Sequence, residues 1–290
     1  AITVGLAGIT GKFGRLLATH LLKNPQVTLR GYARDPSKVV PSISSSPSVR
    51  LFAGGALDDA AIKPFVSGCD VVICAYLGDN ELMVDGQKQL VDACEAASVP
   101  RYIASDWSAY LETKEKVKGV HVMIGGFMET LFSPFFGALD SETNTFKYWG
   151  DGTEILESTT YGDAAQYTAK VAADPSAVGI QKFLGDRKSI KEVAASFEKV
   201  YGIKPALQRL GSQEDLKTHM DELRAKNPAN IYSYMPLFYT YHMINGSTFV
   251  GPDVDNQKYP DIEPETWESF MRSRSPKELS TSMYALASVQ

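Results

Sequence analysis

Three glycines, Gly8, Gly11 and Gly14, lie where the apolar run Ile2 to Leu6 gives way to an amphipathic stretch, Phe13 to Leu22. A G-x-x-G-x-x-G loop between a strand and a helix suits the chemistry of a pyrophosphate. One glycine permits a turn at positive φ. The others let a phosphate reach bare backbone and let the helix pack closely on the strand. Free amides at the helix N-terminus then face the anion. Thr10, Lys12 and Phe13 share the loop and are expected to contact the same ligand. Selectivity between dinucleotides is set at the end of the second strand. An acid there holds a ribose 2′-hydroxyl, whereas cations suit a 2′-phosphate. The sequence has Ala33-Arg34-Asp35-Pro36-Ser37-Lys38. Arg34 occupies the acid's place, Lys38 follows in the next turn, and Asp35 is expected to point away. This pattern points to NADP(H). A third spacing, Tyr110-Leu111-Glu112-Thr113-Lys114, puts tyrosine and lysine on one face of a predicted helix. A nearby ammonium favours tyrosinate and makes the phenol a usable proton donor for a reduced carbonyl.

The elements needed to position these residues are legible in the first half. Short β-branched runs alternate with amphipathic segments, which predicts βαβ units around a parallel sheet. Strands are expected at Ile2–Leu6, Val27–Ala33, Val49–Ala53, Asp70–Ala75, Arg101–Ser105 and Val120–Ile124. Helices are expected at Phe13–Leu22, Asp59–Phe65, Val84–Ala97 and Tyr110–Lys118. Pro41 to Ser48 reads as a loop. In the second half, Asp163–Ala173, Ile190–Tyr201 and Gln213–Lys226 read as helices. They precede an aromatic stretch of Tyr232, Tyr234, Phe238, Tyr239 and Tyr241. The expected fold class is α/β, a Rossmann-type doubly wound parallel sheet with a smaller C-terminal substrate lobe. The chain is expected to be one domain, with the core about 1–165 and the lobe mainly 166–290.

Composition narrows the partners. With 29 Lys and Arg against 34 Asp and Glu, the net charge is -5. That balance offers no footprint for nucleic acid. No apolar run approaches the roughly 20 residues of a membrane span. Three cysteines at irregular spacing, Cys69, Cys74 and Cys94, do not form a disulfide framework. The four histidines form no tight ligand pair, so no metal site is expected. Ala1 to Gly5 lacks the charged-then-apolar layout of a leader, so a cytoplasmic location is expected.

The chain resembles NmrA-like proteins and the isoflavone-reductase-like branch of the atypical short-chain dehydrogenases. The resemblance rests on the glycine loop, the Arg34–Lys38 pair and Gly68-Cys69-Asp70-Val71-Val72-Ile73. It also rests on Gly125-Gly126-Phe127-Met128-Glu129, a Tyr148-Trp149-Gly150-Asp151-Gly152 hairpin and Thr159 through Ala164. Tyr259-Pro260-Asp261 and Thr266-Trp267-Glu268 close the series. Within the family the chain looks most like a fungal reductase of secondary metabolism.

The resemblance implies that Ala75, Tyr76 and Leu77 lie near the adenosine. It implies that Ser105, Gly126 and Phe127 flank the nicotinamide. Catalysis would fall to Lys114, with Tyr110 and Asp106. Ser105 lies closer to Tyr110 than in the ordinary short-chain dehydrogenase triad, and isoflavone-reductase-like enzymes use a lysine on this helix without the tyrosine. The relatives also have a longer connection after Ser105-Asp106-Trp107-Ser108 than Asp106 to Gly119 supplies. Trp107, Met128, Tyr239 and His242 are expected to meet an aromatic or polyketide-like substrate. The implied activity is an NADPH-dependent reduction of an aromatic or quinone-like small molecule. The alternatives are a dinucleotide-binding redox-sensing regulator, or an isomerase or cyclase on the same fold.

Overall fold

The computed structural model describes residues 1–104 and 110–285. The expected Ser105, Asp106 and Trp107 lie outside the described residues. The first half forms β1 (Ile2–Ala7), α1 (Lys12–Leu21), β2 (Val27–Ala33), α2 (Pro41–Ser44), β3 (Val49–Ala53), α3 (Asp59–Val66), β4 (Val71–Cys74), α4 (Gln87–Ala96), β5 (Arg101–Ile103) and β6 (Lys118–Met123). It continues through β7 (Gly126–Phe127), α5 (Met128–Leu131), β8 (Leu139–Asp140), β9 (Thr145–Trp149), β10 (Ile155–Thr159) and α6 (Tyr161–Ala173). The remainder is β11 (Gly179–Lys182), β12 (Asp186–Ser189), α7 (Ile190–Tyr201), β13 (Ala206–Gly211), α8 (Gln213–Lys226), α9 (Met235–Ile244), α10 (Trp267–Arg272) and α11 (Pro276–Ala285).

A seven-stranded sheet runs in the order β11-β6-β5-β4-β1-β2-β3. Every pairing from β3 across to β6 is parallel. The order reverses between β1 and β4, as in a doubly wound Rossmann-type sheet. The central strands explain why: all four residues of β4, Val-Val-Ile-Cys, are buried, as a strand covered on both faces requires. The chain folds as two compact units, and the division differs from the expected boundary near residue 165. One unit comprises Ala1–Met123 and Ala164–Gln181, and the other Ile124–Asp163 with Lys182 onward.

The first unit packs Tyr32, Phe65, Val72, Leu90, Cys94 and Tyr102 against the sheet. Arg101, only 4% exposed, donates to the carbonyls of Val171, Ala172 and Asp174 at 3.0, 2.7 and 2.7 Å. It satisfies acceptors that the end of α6 leaves without an intrahelical partner. The second unit packs Phe132, Phe146, Phe197, Trp267, Phe270 and Met271. Its two small sheets run β12-β10-β7 and β13-β9-β8.

Four local expectations change. Pro41–Ser44 is a short helix inside the expected loop. The segment before α4 is a π-helix over Glu81–Gly86, so the expected helix starts earlier and wider. Tyr110–Lys118 is not a helix. A 3-10 turn covers Leu111–Thr113, Lys114 is extended at φ -90°, and Lys118 opens β6. Leu111 and Val117, two apolar positions of the expected helix, are instead buried anchors of a connection laid over α4. Finally, Gly150 and Gly152 turn the chain at positive φ, but the flanking strands form no hairpin. β9 joins β13 and β8, whereas β10 joins β12 and β7.

Candidate functional site

The glycine loop is built by close packing. Gly8 has φ +86°, and a Cβ there would come within 2.6 Å of the Ala75 carbonyl oxygen at the end of β4. Its amide donates to the Tyr32 carbonyl at 3.0 Å, and its carbonyl accepts from the Gly11 amide at 2.9 Å. A Cβ on Gly14 would strike the Gly8 carbonyl. The fold therefore requires Gly8 and Gly14. Gly11 differs: its φ is an ordinary -70°, and a Cβ would meet only the Gly8 oxygen, at 3.2 Å. Gly11 is also the N-cap of α1 and brings no side-chain acceptor to the helix end. The ten-residue α1 thus presents its positive end through a position free of a side chain, which is what a pyrophosphate needs. Thr10, Lys12 and Phe13 line the same loop and are partly exposed.

At the end of β2, Arg34 and Lys38 are both exposed. Among the described residues the Arg34 guanidinium has no ion-pair or hydrogen-bond partner. Asp35 is already committed. Its carboxylate accepts from the Ser37 amide at 3.1 Å and the Ser37 hydroxyl at 2.5 Å, and Lys38 lies 3.7 Å away. The Ser37 hydroxyl holds this carboxyl below the usual range. Beyond β4, Ala75 is partly exposed, Tyr76 is 8% exposed and Leu77 is 89% exposed.

Tyr110 and Lys114 do meet, but around a third residue. The Tyr110 hydroxyl donates to Asp92 Oδ1 at 2.8 Å, and Lys114 Nζ donates to the same oxygen at 2.6 Å. Lys114 Nζ also sits 3.9 Å from the Tyr110 ring centroid. The Asp92 hydrogen bond raises the Lys114 ammonium above its ordinary value, with Tyr110 adding to it. Just beyond, Glu95 near the end of α4 accepts from the amides of Glu115, Lys116 and Val117. Lys118 then pairs with Arg101 at the start of β5. Lys114 therefore lies toward the amino edge of the sheet. Gly8, Arg34 and Tyr76 follow the carboxyl ends, where open α/β sheets bind ligands. The structure corrects the expected helical pair to a tether between this connection and α4.

In the second unit, Gly125 turns at φ +66° and Gly126 leads into Phe127. Phe127 stacks on Tyr161, with ring centroids 3.7 Å apart and planes at 9°. Sequence reasoning did not single out Tyr161. Its only signal was its place in Thr159–Ala164. Met128, expected against substrate, is fully buried among Phe132, Trp267 and Leu279, so it serves packing. Glu129 is 2% exposed, and burial pushes its carboxyl up to about 7.

Helix α9 takes up Phe238, Tyr239 and Tyr241 of the aromatic stretch and divides them from its cavity face. Pro236, Leu237, Thr240, Met243 and Ile244 follow helical spacing and line an apolar cavity with Trp149. Tyr239 and His242, the expected substrate contacts, do not line this cavity. Tyr239 is 47% exposed and lies 6.4 Å from the ring of Phe136. His242 Nδ1 lies 2.8 Å from the Ser247 hydroxyl, and its ring sits 4.4 Å from that of Phe238. The Met243 sulfur, in contrast, lies 3.5 Å from where a Gly126 Cβ would be. A second, polar cleft of about 390 Å³ includes Asp151, Glu154, Arg209 and Lys217. Its cations are paired, Arg209 with Asp151 at 3.1 Å and Lys217 with Asp221 at 2.6 Å. Among the described residues, no group of three acidic, histidine or cysteine side chains could hold a metal ion. No described helix is long and apolar enough to cross a membrane.

Comparison with known proteins agrees with this geometry. Residues 8–128 match the NAD(P)H-binding family model, which contains the loop, Arg34 and the Phe127 turn. No curated protein matches the chain significantly. Among solved structures, an isoflavone reductase is similar with a TM-score of 0.75 and 19% identity, over 93% of this chain and 98% of that one. The leucoanthocyanidin reductase–NADPH complex of Vitis vinifera is similar with a TM-score of 0.74 and 20% identity, over 96% and 99%. An NADPH-dependent quinone oxidoreductase of Escherichia coli, complexed with NADPH, gives a TM-score of 0.70 and 16% identity, over 92% and 98%. At these identities the likeness establishes a shared Rossmann-type fold, and the family match assigns NAD(P)H binding to residues 8–128.

Proposed function

We propose that the chain is an NADPH-dependent oxidoreductase that reduces an aromatic or quinone-like small molecule. The observation that carries this reading is the open cradle after β1. At the end of β2 it is joined by Arg34, unpaired among the described residues, beside an acid already engaged elsewhere. Arg34, with Lys38, suits a 2′-phosphate. The α1 amides suit the pyrophosphate, and Leu77 offers apolar cover to the adenosine. Gly126 and Phe127, in the turn that directly follows β6 in the chain, would be offered to the nicotinamide. When bound, NADPH would supply a hydride. The similar structures include two reductases and a quinone oxidoreductase, in line with that chemistry. Met243 lines the small apolar cavity beneath α9 and lies close to the Gly126 turn.

The test is absorbance-monitored oxidation of NADPH, with NADH in parallel, against aromatic ketones, enones and quinones. Turnover that prefers NADPH is expected. Equal use of NADH would overturn the role of Arg34. Tight NADPH binding with no turnover across the panel would favour the redox-sensing regulator.

A further inference from the structure

Glu129 is a buried carboxylate with no part in the binding scheme above. Its two carboxylate oxygens lie 3.1 and 3.2 Å from the Tyr161 amide nitrogen. That amide heads the 13-residue α6, so the carboxylate sits at the positive end of a helix. The Tyr161 ring is flat on Phe127. The two partners are held separately. Phe127 is fixed by the parallel pairing of β7 with β10, opposite Thr159. Tyr161, two residues further on, has its amide bonded to the carboxylate, beside a second cap in which the Thr160 hydroxyl accepts from the Asp163 amide at 3.0 Å.

We propose that Glu129 is the positioning residue of this aromatic pair: its ionised carboxylate holds the head of α6 and so keeps Tyr161 flat on Phe127. A consequence for cofactor binding rests on the proposed function, in which Phe127 faces the nicotinamide. The clamp itself does not.

The surroundings make the clamp sensitive to protons. Burial raises Glu129 to about 7, Arg274 opposes that rise and Glu265 adds to it. Asp163 brings a third acid, bonded at 2.8 Å to both the Thr160 hydroxyl and the Glu265 amide. From α11, the Ser282 hydroxyl donates to the Leu279 carbonyl at 2.8 Å and lies 3.4 Å from the Glu129 backbone carbonyl. Below neutrality Glu129 gains a proton, and a charge-assisted hydrogen bond becomes an ordinary one.

Hydrogen exchange at the Tyr161 amide in the cofactor-free protein tests the clamp directly. After correction for intrinsic rate, wild-type protection should fall about tenfold between about pH 8 and about pH 6. In Glu129→Gln it should be low and the same at both. Unchanged wild-type protection across that range, or equal protection in the variant, would overturn the proposal. The wild-type comparison stands alone if the variant does not fold. NADPH titration gives the second readout: affinity should weaken several-fold at the lower pH in wild type and stay level in Glu129→Gln. An exchange effect with pH-independent affinity would remove the link to the cofactor. Absence of NADPH binding at either pH would remove the proposed function, while the exchange result would still decide the clamp.

Discussion

Two segments of the first unit carry residues at motif spacing, Gly8–Gly14 and Tyr110–Lys114. In the glycine loop the backbone itself needs those residues. Gly8 has positive φ and no room for a Cβ beside Ala75, and Gly14 has none beside Gly8. In the second segment nothing in the backbone depends on the i,i+4 spacing. Tyr110 and Lys114 converge because both reach Asp92, from a 3-10 turn and an extended residue. A spacing that steric exclusion enforces reports structure directly. One made of flexible polar side chains reports structure only after its partners are known.

The comparison breaks most sharply at Gly11. Gly11→Val should leave the fold intact, because only one backbone oxygen lies near, but it should block the pyrophosphate. Titration should show NADPH affinity reduced more than about a thousandfold, roughly 4 kcal/mol, with thermal unfolding little changed. Retained affinity would remove the loop's assignment.

The next largest effect concerns Glu129, whose motif position was legible but whose state was not. Its carboxyl is raised from 4.5 to about 7. In that window the unfolded chain has released the proton and the folded chain retains it, so global stability falls as pH rises. The local Tyr161 bond runs the other way, because burial of the charge is relieved only when the core opens, whereas the bond itself favours the ionised form. The loss is on the order of 3 kcal/mol across the window. Denaturant unfolding from acid to neutral pH should show that slope in wild type. Glu129→Gln should flatten it in part, since Asp163 and Glu265 are raised too and keep their share. Equal slopes would mean that Glu129 is ionised throughout.

Arg34→Ala should weaken NADPH about thirtyfold, roughly 2 kcal/mol for one charged hydrogen-bonding partner. NADH affinity should be unchanged; parallel losses in titration would refute the 2′-phosphate contact. The smallest effects belong to the other side of the comparison. Lys114→Met and Tyr110→Phe should each lower stability by less than about 1 kcal/mol, since Asp92 is half exposed. Turnover should stay within about threefold of wild type. A loss of a hundredfold or more, the usual scale for removing a general acid, would restore the catalytic pair and sink the tether.

The sequence by itself determined much of the framework of both units. Val27–Ala33, Val49–Ala53, Ile190–Tyr201 and Gln213–Lys226 form at their expected bounds. In Ile190–Tyr201 the buried face, Ile190, Val193, Ala194 and Phe197, follows the period that the residues spell out. The phosphate loop was legible for the same reason: its constraints are local. Only the tertiary structure decided the rest. Phe238, Tyr239 and Tyr241 of the aromatic stretch fell within α9, whose cavity face includes Leu237, Thr240 and Met243, leaving Tyr239 and His242 off it. Met128 went into the core and Tyr161 emerged onto Phe127. The strands flanking Gly150 and Gly152 went to different sheets. Each of these outcomes depends on which distant segment offers a partner, and residue periodicity within one segment carries no record of that choice.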